Sequence, residues 1–202
     1  MIKQLIIILA LIIPASFFAQ NVDIKLLRYI NSSETQSTDN FFKLMSNTIN
    51  VVNIGTPLTM GVVGLIKHDK TLLRNAGVIA AATVINGLAT ISMKTIINRS
   101  RPFETYPDIM KKSSGGSSSF PSGHTSSAFA TATSLSLLYP KWYVIAPSFA
   151  WASTVGYSRM HLGVHYPSDV LAGALTGAGS AYLSYKLNNW LNNYQTKKHE
   201  HQ

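Results

Sequence analysis

The sequence predicts an all-α protein, a membrane-embedded helical bundle of about five to six apolar helices with three chemistry-bearing loops at one end. Three observations carry this. Five charge-free apolar segments, 44–66, 75–93, 125–139, 142–157 and 170–185, make up most of the chain after residue 43. No two-residue alternation runs through them, so each reads as a helix rather than a strand. The charges, only 12% of residues against 46% apolar, fall in the linkers or in three short polar stretches.

A chain of 202 residues is expected to form one domain around a single helical core. Its net charge of +9 does not suggest nucleic acid, because the cations are not clustered on a solvated face with interleaved aromatics. They point instead to an anionic substrate and to membrane topology. Cysteine is absent, which excludes a disulfide framework, a thiol nucleophile and a Cys-based metal site.

In chain order, residues 1–19 combine Lys3, the charge-free run 5–13 and Ala19, the pattern of a secretory signal peptide. Phe17 stands where a small residue is preferred for cleavage, so an uncleaved amino-terminal membrane anchor is the other reading. Residues 21–43 are polar, with a short helix around 23–30 and a Ser/Thr/Asn-rich loop after it. Segments 44–66 and 75–93 reach the length of about 20 apolar residues that a spanning helix needs. The last three run shorter and carry Ser, Thr and Gly. In segment 170–185, Gly173 and Gly177 form a Gly-x3-Gly pair that allows close helix contact. Residues 191–202 read as a polar tail.

The chemistry-bearing residues lie in three stretches. In the first, Lys94 and Arg101 are seven apart, one helix face if the helix runs on to Pro102, which ends it and aims Arg101 outward. The second is Pro121-Ser122-Gly123-His124, a turn running into an apolar segment. It offers free backbone N–H groups and the positive end of a helix dipole to an anion. The third runs from Ser158-Arg159 to His165 and Asp169. Pro167 suits the first position of a helix, which places His165 just before that helix and Asp169 in its first turn. The carboxylate can then take one imidazole N–H and leave the other nitrogen as a nucleophile. Arg159 adds a planar cationic fork for an oxyanion. Three cations, an anion-binding helix start, two histidines and a carboxylate fit phosphoryl transfer without a metal.

These stretches resemble the superfamily of type-2 phosphatidic acid phosphatases, class A acid phosphatases and vanadium haloperoxidases. Its signature is Lys-x6-Arg-Pro, Pro-Ser-Gly-His and Ser-Arg-x5-His-x3-Asp. All eleven fixed positions are present in order, and the resemblance covers roughly residues 40–187. It implies a phosphatase domain over 20–190 and a phosphohistidine mechanism without cofactor or metal. In that mechanism His165 is the nucleophile, Asp169 holds its tautomer and His124 is the acid and then the base. Lys94, Arg101, Ser122, Gly123 and Arg159 bind the phosphate. The implied substrates are phosphorylated lipids: phosphatidic acid, phosphatidylglycerol phosphate, undecaprenyl diphosphate or the lipid A phosphates.

If each apolar segment spans, one side of the membrane receives Lys3, Lys67, Lys70, Arg74, Lys141, Lys186, Lys197 and Lys198. The other receives all three motif loops. The positive-inside rule makes the first side cytoplasmic and turns the motifs to the periplasm. Arg99, Arg101 and Arg159 remain outside, most of them with phosphate to bind. A soluble periplasmic acid phosphatase is the alternative, since the class A enzymes are also helical and the mean hydropathy of +0.14 is low for a polytopic protein. A vanadium haloperoxidase is a third reading, though those chains are typically much longer. His161 is expected as a pocket-wall or surface residue, and His68, His199 and His201 as solvated. Lys111, Lys112 and the serine-glycine loop 113–119 form either a mouth over the site or a plain linker.

Overall fold

The computed structural model describes residues 21–32 and 35–200, with side chains through residue 194. The signal or anchor reading for residues 1–19 lies outside that range. Seven helices are seen among the described residues: α1 (21–30), α2 (Gln36–Ile66), α3 (Lys70–Ile97), α4 (Pro102–Thr105), α5 (Gly123–Leu138), α6 (Trp142–His161) and α7 (Pro167–Glu200). Five are long, and they coincide with the five apolar segments.

Several helices outrun those segments, each for a local reason. Thr35 caps α2, its hydroxyl accepting from Thr38 N, so the helix begins in polar sequence. Asp69 caps α3, its Oδ1 accepting from Thr71 N at 2.9 Å and Leu72 N at 3.0 Å. At its other end α3 stops sooner than Pro102 requires. Asn98 adopts a left-handed conformation (φ 43°, ψ 47°) and closes the helix at Ile97, a role asparagine fills readily. Arg101 is therefore off the helix, in extended conformation before α4, and does not share a helical face with Lys94. Pro102 opens α4 rather than ending α3. The polar tail continues α7 as helix to Glu200.

α5 is the central helix, packed against α2, α3, α6 and α7. It can be central because its buried positions are small: Thr125, Ser126, Ala128, Ala130, Thr131, Ala132 and Ser134. The Gly-x3-Gly pair of α7 meets this surface. A Cβ on Gly173 would stand 2.6 Å from the Ser122 carbonyl oxygen, and one on Gly177 would run into Ser126 O and Ala130 N. Interior hydroxyls and amides are paired across helices, as in Thr90 with Ser126 (3.0 Å) and Asn53 Oδ1 accepting from Thr131 (2.9 Å).

The outside of the bundle is apolar. Val51, Ile54, Leu58 and Leu65 of α2, Val84, Leu88 and Ile91 of α3, and Leu171 and Leu175 of α7 are each more than half exposed. Only 11% of the most apolar stretch of α2 is buried. A helix that is apolar and yet uncovered by protein is not the core helix of a water-soluble domain; it suits a lipid environment. At 31 and 28 residues, α2 and α3 are about 46 and 42 Å long, more than the hydrocarbon thickness.

α1 lies across the motif end. Ile24 and Leu27 are buried against Ile109 and Tyr166, with Phe103, Tyr106 and Met160 around them. Asn31, just after α1, joins three parts of the chain: its Nδ2 donates to Met110 O (3.0 Å) and His161 O (2.9 Å), and its Oδ1 accepts from Met110 N.

Candidate active site

The site sits where the carboxyl end of α3 and the amino ends of α5 and α7 meet. Lys94, in the last turn of α3, donates to Ser118 O at 2.5 Å. Arg101 is buried, and its Nε donates to Ser117 O (2.8 Å) while Nη1 donates to Val164 O (2.8 Å). Arg159, in the last turn of α6, donates through Nη1 to Ser46 Oγ of α2 (2.5 Å) and through Nη2 to Ser114 O (3.4 Å). Its Nε is buried with no hydrogen-bond partner among the described residues. The serine-glycine loop is thus no free linker: three of its carbonyls accept from the three cations. Gly115 fits there because a Cβ would stand 3.0 Å from Cδ, Nε and Cζ of Arg101.

Ser122 is the cap residue of α5 and Gly123 its first residue, and a Cβ on Gly123 would stand 4.0 Å from Lys94 Cε, so this helix start lies beside the lysine. The Ser122 N–H donates to Asp169 O at 3.0 Å, which pins the start of α5 to the start of α7. His124 is half-buried and feels the charges of Arg159, His165, Arg101 and Lys94.

His165 lies in the connection between α6 and α7. That connection turns at Gly163, whose φ of +71° is left-handed and whose Cβ would collide with Met110 O, so glycine is required there. α7 begins at Pro167, with Asp169 in its first turn, as the sequence predicts. His165 Nδ1 is 3.5 Å from Asp169 Oδ2, close enough to orient the ring but long for a hydrogen bond. Nε2 is 3.3 Å from Arg101 Nη1. A guanidinium can only donate, so Nε2 is the acceptor and carries the lone pair, leaving the proton on Nδ1 facing the carboxylate. Burial pushes the imidazole pKa from 6.5 down to about 4, although Asp169 acts the other way. The ring is therefore neutral near pH 7.

The structure brings together all eight residues singled out by sequence, adds four that sequence reasoning missed (Ser46, Ser119, Tyr166 and Asp23), and gives Arg99 a different partner from the one expected. Ser119 and the Tyr166 N–H (2.9 Å) donate to Asp169 Oδ2. Arg99 donates to Asp169 Oδ1 (2.7 Å) and Asp23 Oδ2 (2.8 Å), so it pairs with carboxylates and is not turned to phosphate as expected. Ser46 holds Arg159. Arg99 stands two residues from Arg101, a signal that was available; Ser46 and Asp23 carry none, being far away in sequence. His161 is buried, not at the surface. Its Nε2 is 2.7 Å from Asp39 Oδ1, which also accepts from Lys112 Nζ at 2.9 Å, and its ring packs on Phe42. Among the described residues no group of three or more His, Asp or Glu is placed to hold a metal ion.

A family profile described as the PAP2 superfamily matches residues 73–193, which hold every one of the eight site residues. The chain belongs to the PAP2 superfamily. This PAP2 chain is 27% identical over 180 residues to the lipid A 4'-phosphatase of Bacteroides thetaiotaomicron, covering 83% of this chain and 77% of that one. Its fold matches the crystal structure of Aquifex aeolicus LpxE with a TM-score of 0.69 at 29% identity, over 82% of this chain and 95% of that one. It also matches the transmembrane PAP2-type phosphatidylglycerolphosphate phosphatase of Bacillus subtilis, with a TM-score of 0.72 over 89% of this chain and 92% of that one. At 22% identity that last likeness speaks for the fold alone.

Proposed function

We propose that this PAP2 protein is a membrane phosphatase that hydrolyses a lipid phosphate or diphosphate through a phosphohistidine intermediate, its active site facing the periplasm. The observation that carries the reading is a neutral, buried His165 set between a carboxylate and an arginine, beside two more cations and the start of α5, at one end of an apolar-surfaced bundle.

Lys94, Arg101, Arg159, the Ser122 hydroxyl and the Gly123 N–H hold the phosphoryl oxygens. Such electrostatic positioning is most of what phosphoryl transfer requires. Arg101 Nη1 turns from His165 Nε2 to a phosphoryl oxygen, which frees the lone pair. Nε2 attacks phosphorus in line, the bond to the lipid oxygen breaks, and His124 gives that oxygen its proton. Water then enters, His124 takes a proton from it, and its oxygen attacks phosphorus. The P–N bond breaks and inorganic phosphate leaves. Asp169 holds the proton-bearing Nδ1 side of the ring throughout, so the nucleophilic nitrogen keeps its tautomer.

A lipid substrate is supported by the exposed apolar faces of α2 and α3, whose ends reach the site, and by likeness to a lipid A phosphatase. The orientation is supported by charge. Lys67, Lys70 and Arg74 surround the α2–α3 turn, at the end of α3 opposite Lys94.

The test is phosphate release in detergent from a panel of an aryl phosphate, phosphatidic acid, phosphatidylglycerol phosphate, undecaprenyl diphosphate and lipid A. His165→Ala serves as the blank. Preference for one lipid is expected. Equal or better turnover of the aryl phosphate would replace the lipid reading with a broad-specificity phosphatase, and no release from any ester would refute phosphatase activity.

A further inference from the structure

We propose that Arg99 and Asp23 are positioning residues for the His165–Asp169 pair, Arg99 holding Asp169 as an oriented carboxylate and Asp23 holding Arg99 in place. The inference rests on the phosphatase reading and deepens it.

Arg99 is committed through both terminal nitrogens and one face of its guanidinium. Nη1 donates to Asp169 Oδ1 and to Ser168 Oγ, each at 2.7 Å, and Nη2 donates to Asp23 Oδ2 at 2.8 Å. Its guanidinium lies over the Tyr166 ring, 3.8 Å from the centroid. Turning toward substrate would strip the counterion from two carboxylates that are 0% and 7% exposed, which buried anions do not tolerate. The fork is a bridge between carboxylates, not a phosphate ligand.

Asp169 is held from both oxygens. Oδ2 accepts from Ser119 and from the Tyr166 N–H, and faces His165 Nδ1; Oδ1 is left to Arg99. The charged and titratable groups facing Asp169 are His165 and Tyr166 from the α6–α7 connection, Lys94 from α3, and Arg99 and Arg101 from the segment after it. Among these cations only Arg99 touches the carboxylate; Lys94 and Arg101 are spent on loop carbonyls and on the phosphate position. With His165, Ser119 and the Tyr166 N–H on the Oδ2 side, Arg99 is therefore the one of these cations that holds Asp169 ionised and aimed by direct contact.

Asp23 anchors this bridge from outside the family core. It sits on α1, ahead of residues 73–193 that match the superfamily profile. Its Oδ1 accepts from Ser168 N (2.8 Å) and its Oδ2 from Ser168 Oγ (2.5 Å), so one carboxylate fixes both Arg99 and the first turn of α7. The amino-terminal helix thereby reaches the nucleophile in three contacts: the ion pairs of Asp23 with Arg99 and of Arg99 with Asp169, then the 3.5 Å approach of Asp169 Oδ2 to His165 Nδ1.

The experiment compares wild type with Arg99→Gln, Arg99→Lys and Asp23→Asn by two readouts. One is the pH profile of kcat/KM for a soluble aryl phosphate. The other is the titration midpoint of the His165 imidazole, followed by NMR of 15N-histidine-labelled protein. Removing a cation favours protonation of the pair, so in Arg99→Gln the acid limb and the midpoint both move up, by about 1–3 pH units. Arg99→Lys restores the limb toward wild type. Asp23→Asn lowers kcat several-fold with KM for the soluble ester unchanged. The proposal is overturned if Arg99→Gln keeps the wild-type limb and midpoint, if its loss is uniform across pH and matched by a fall in Tm, or if Asp23→Asn equals wild type. A wild-type protein that releases no phosphate refutes the phosphatase reading instead, and the NMR midpoint still decides the role of Arg99.

Discussion

Replacing Ser46 by alanine removes one oxygen from a helix that lies outside the superfamily match, and the structure says the active site will feel it. Ser46 Oγ is 2.5 Å from Arg159 Nη1, across 113 residues of sequence, in a site where the serine is 1% exposed. Among the described residues Arg159 has little else to hold it: its Nη2 bond to Ser114 O is long at 3.4 Å, and its Nε has no partner there. A hydrogen bond to a charged group contributes about 1.5–3 kcal/mol. If between half and all of that is felt in the transition state, kcat/KM falls by about 4- to 150-fold. The assay is steady-state phosphate release from an aryl phosphate and from the preferred lipid, in detergent, with Tm measured alongside. Ser46→Thr, which keeps the hydroxyl, is expected to recover most of the loss. Activity of Ser46→Ala within about twofold of wild type, with Arg159→Ala inactive, would refute the argument that this contact orients the arginine.

Further outcomes are expected. His165→Ala and His124→Ala lose turnover of lipid substrates while the far-UV circular dichroism of the folded protein survives; full activity in either variant removes that residue from the mechanism. Gly177→Ala drives a methyl group into Ser126 O and Ala130 N, so its thermal stability in detergent falls by about 1–3 kcal/mol. Gly179→Ala meets nothing within 4 Å and leaves Tm unchanged or higher, and equal effects of the two changes would contradict the α5–α7 packing. The lowered pKa of His165 (about 4) means the folded state resists taking up a proton there. Its contribution, about 3 kcal/mol, is complete above pH 6.5, is lost as pH falls from 6.5 towards 4 and levels off below that. Wild type should therefore lose more Tm between pH 7 and pH 4.5 than His165→Asn does, and parallel losses would count against the burial argument.

The sequence by itself determined the fold class and singled out eight residues that the fold gathers at one end of the bundle. Both are written locally: apolar runs show their period within a few turns, and phosphate chemistry demands fixed residue types at short spacings. Pro167 marked the start of α7, and with it the placing of His165 and Asp169, because proline acts on its own backbone. Other boundaries were less legible. Asn98 rather than Pro102 ends α3, since asparagine tolerates the left-handed turn that closes the helix, and nothing in the residue type alone said that it would do so here. Tertiary structure decided what lay further apart. Whether Arg99 faced phosphate or carboxylate depended on Asp23, 76 residues earlier, and on the ring of Tyr166. Ser46 joins the candidate site only because α2 packs against α6, bringing a hydroxyl to Arg159. The serine-glycine loop became a support for three cations only when its carbonyls were placed among them. Charges that must be paired out of water choose their partners by proximity in the folded chain, and no local pattern in the sequence records that proximity.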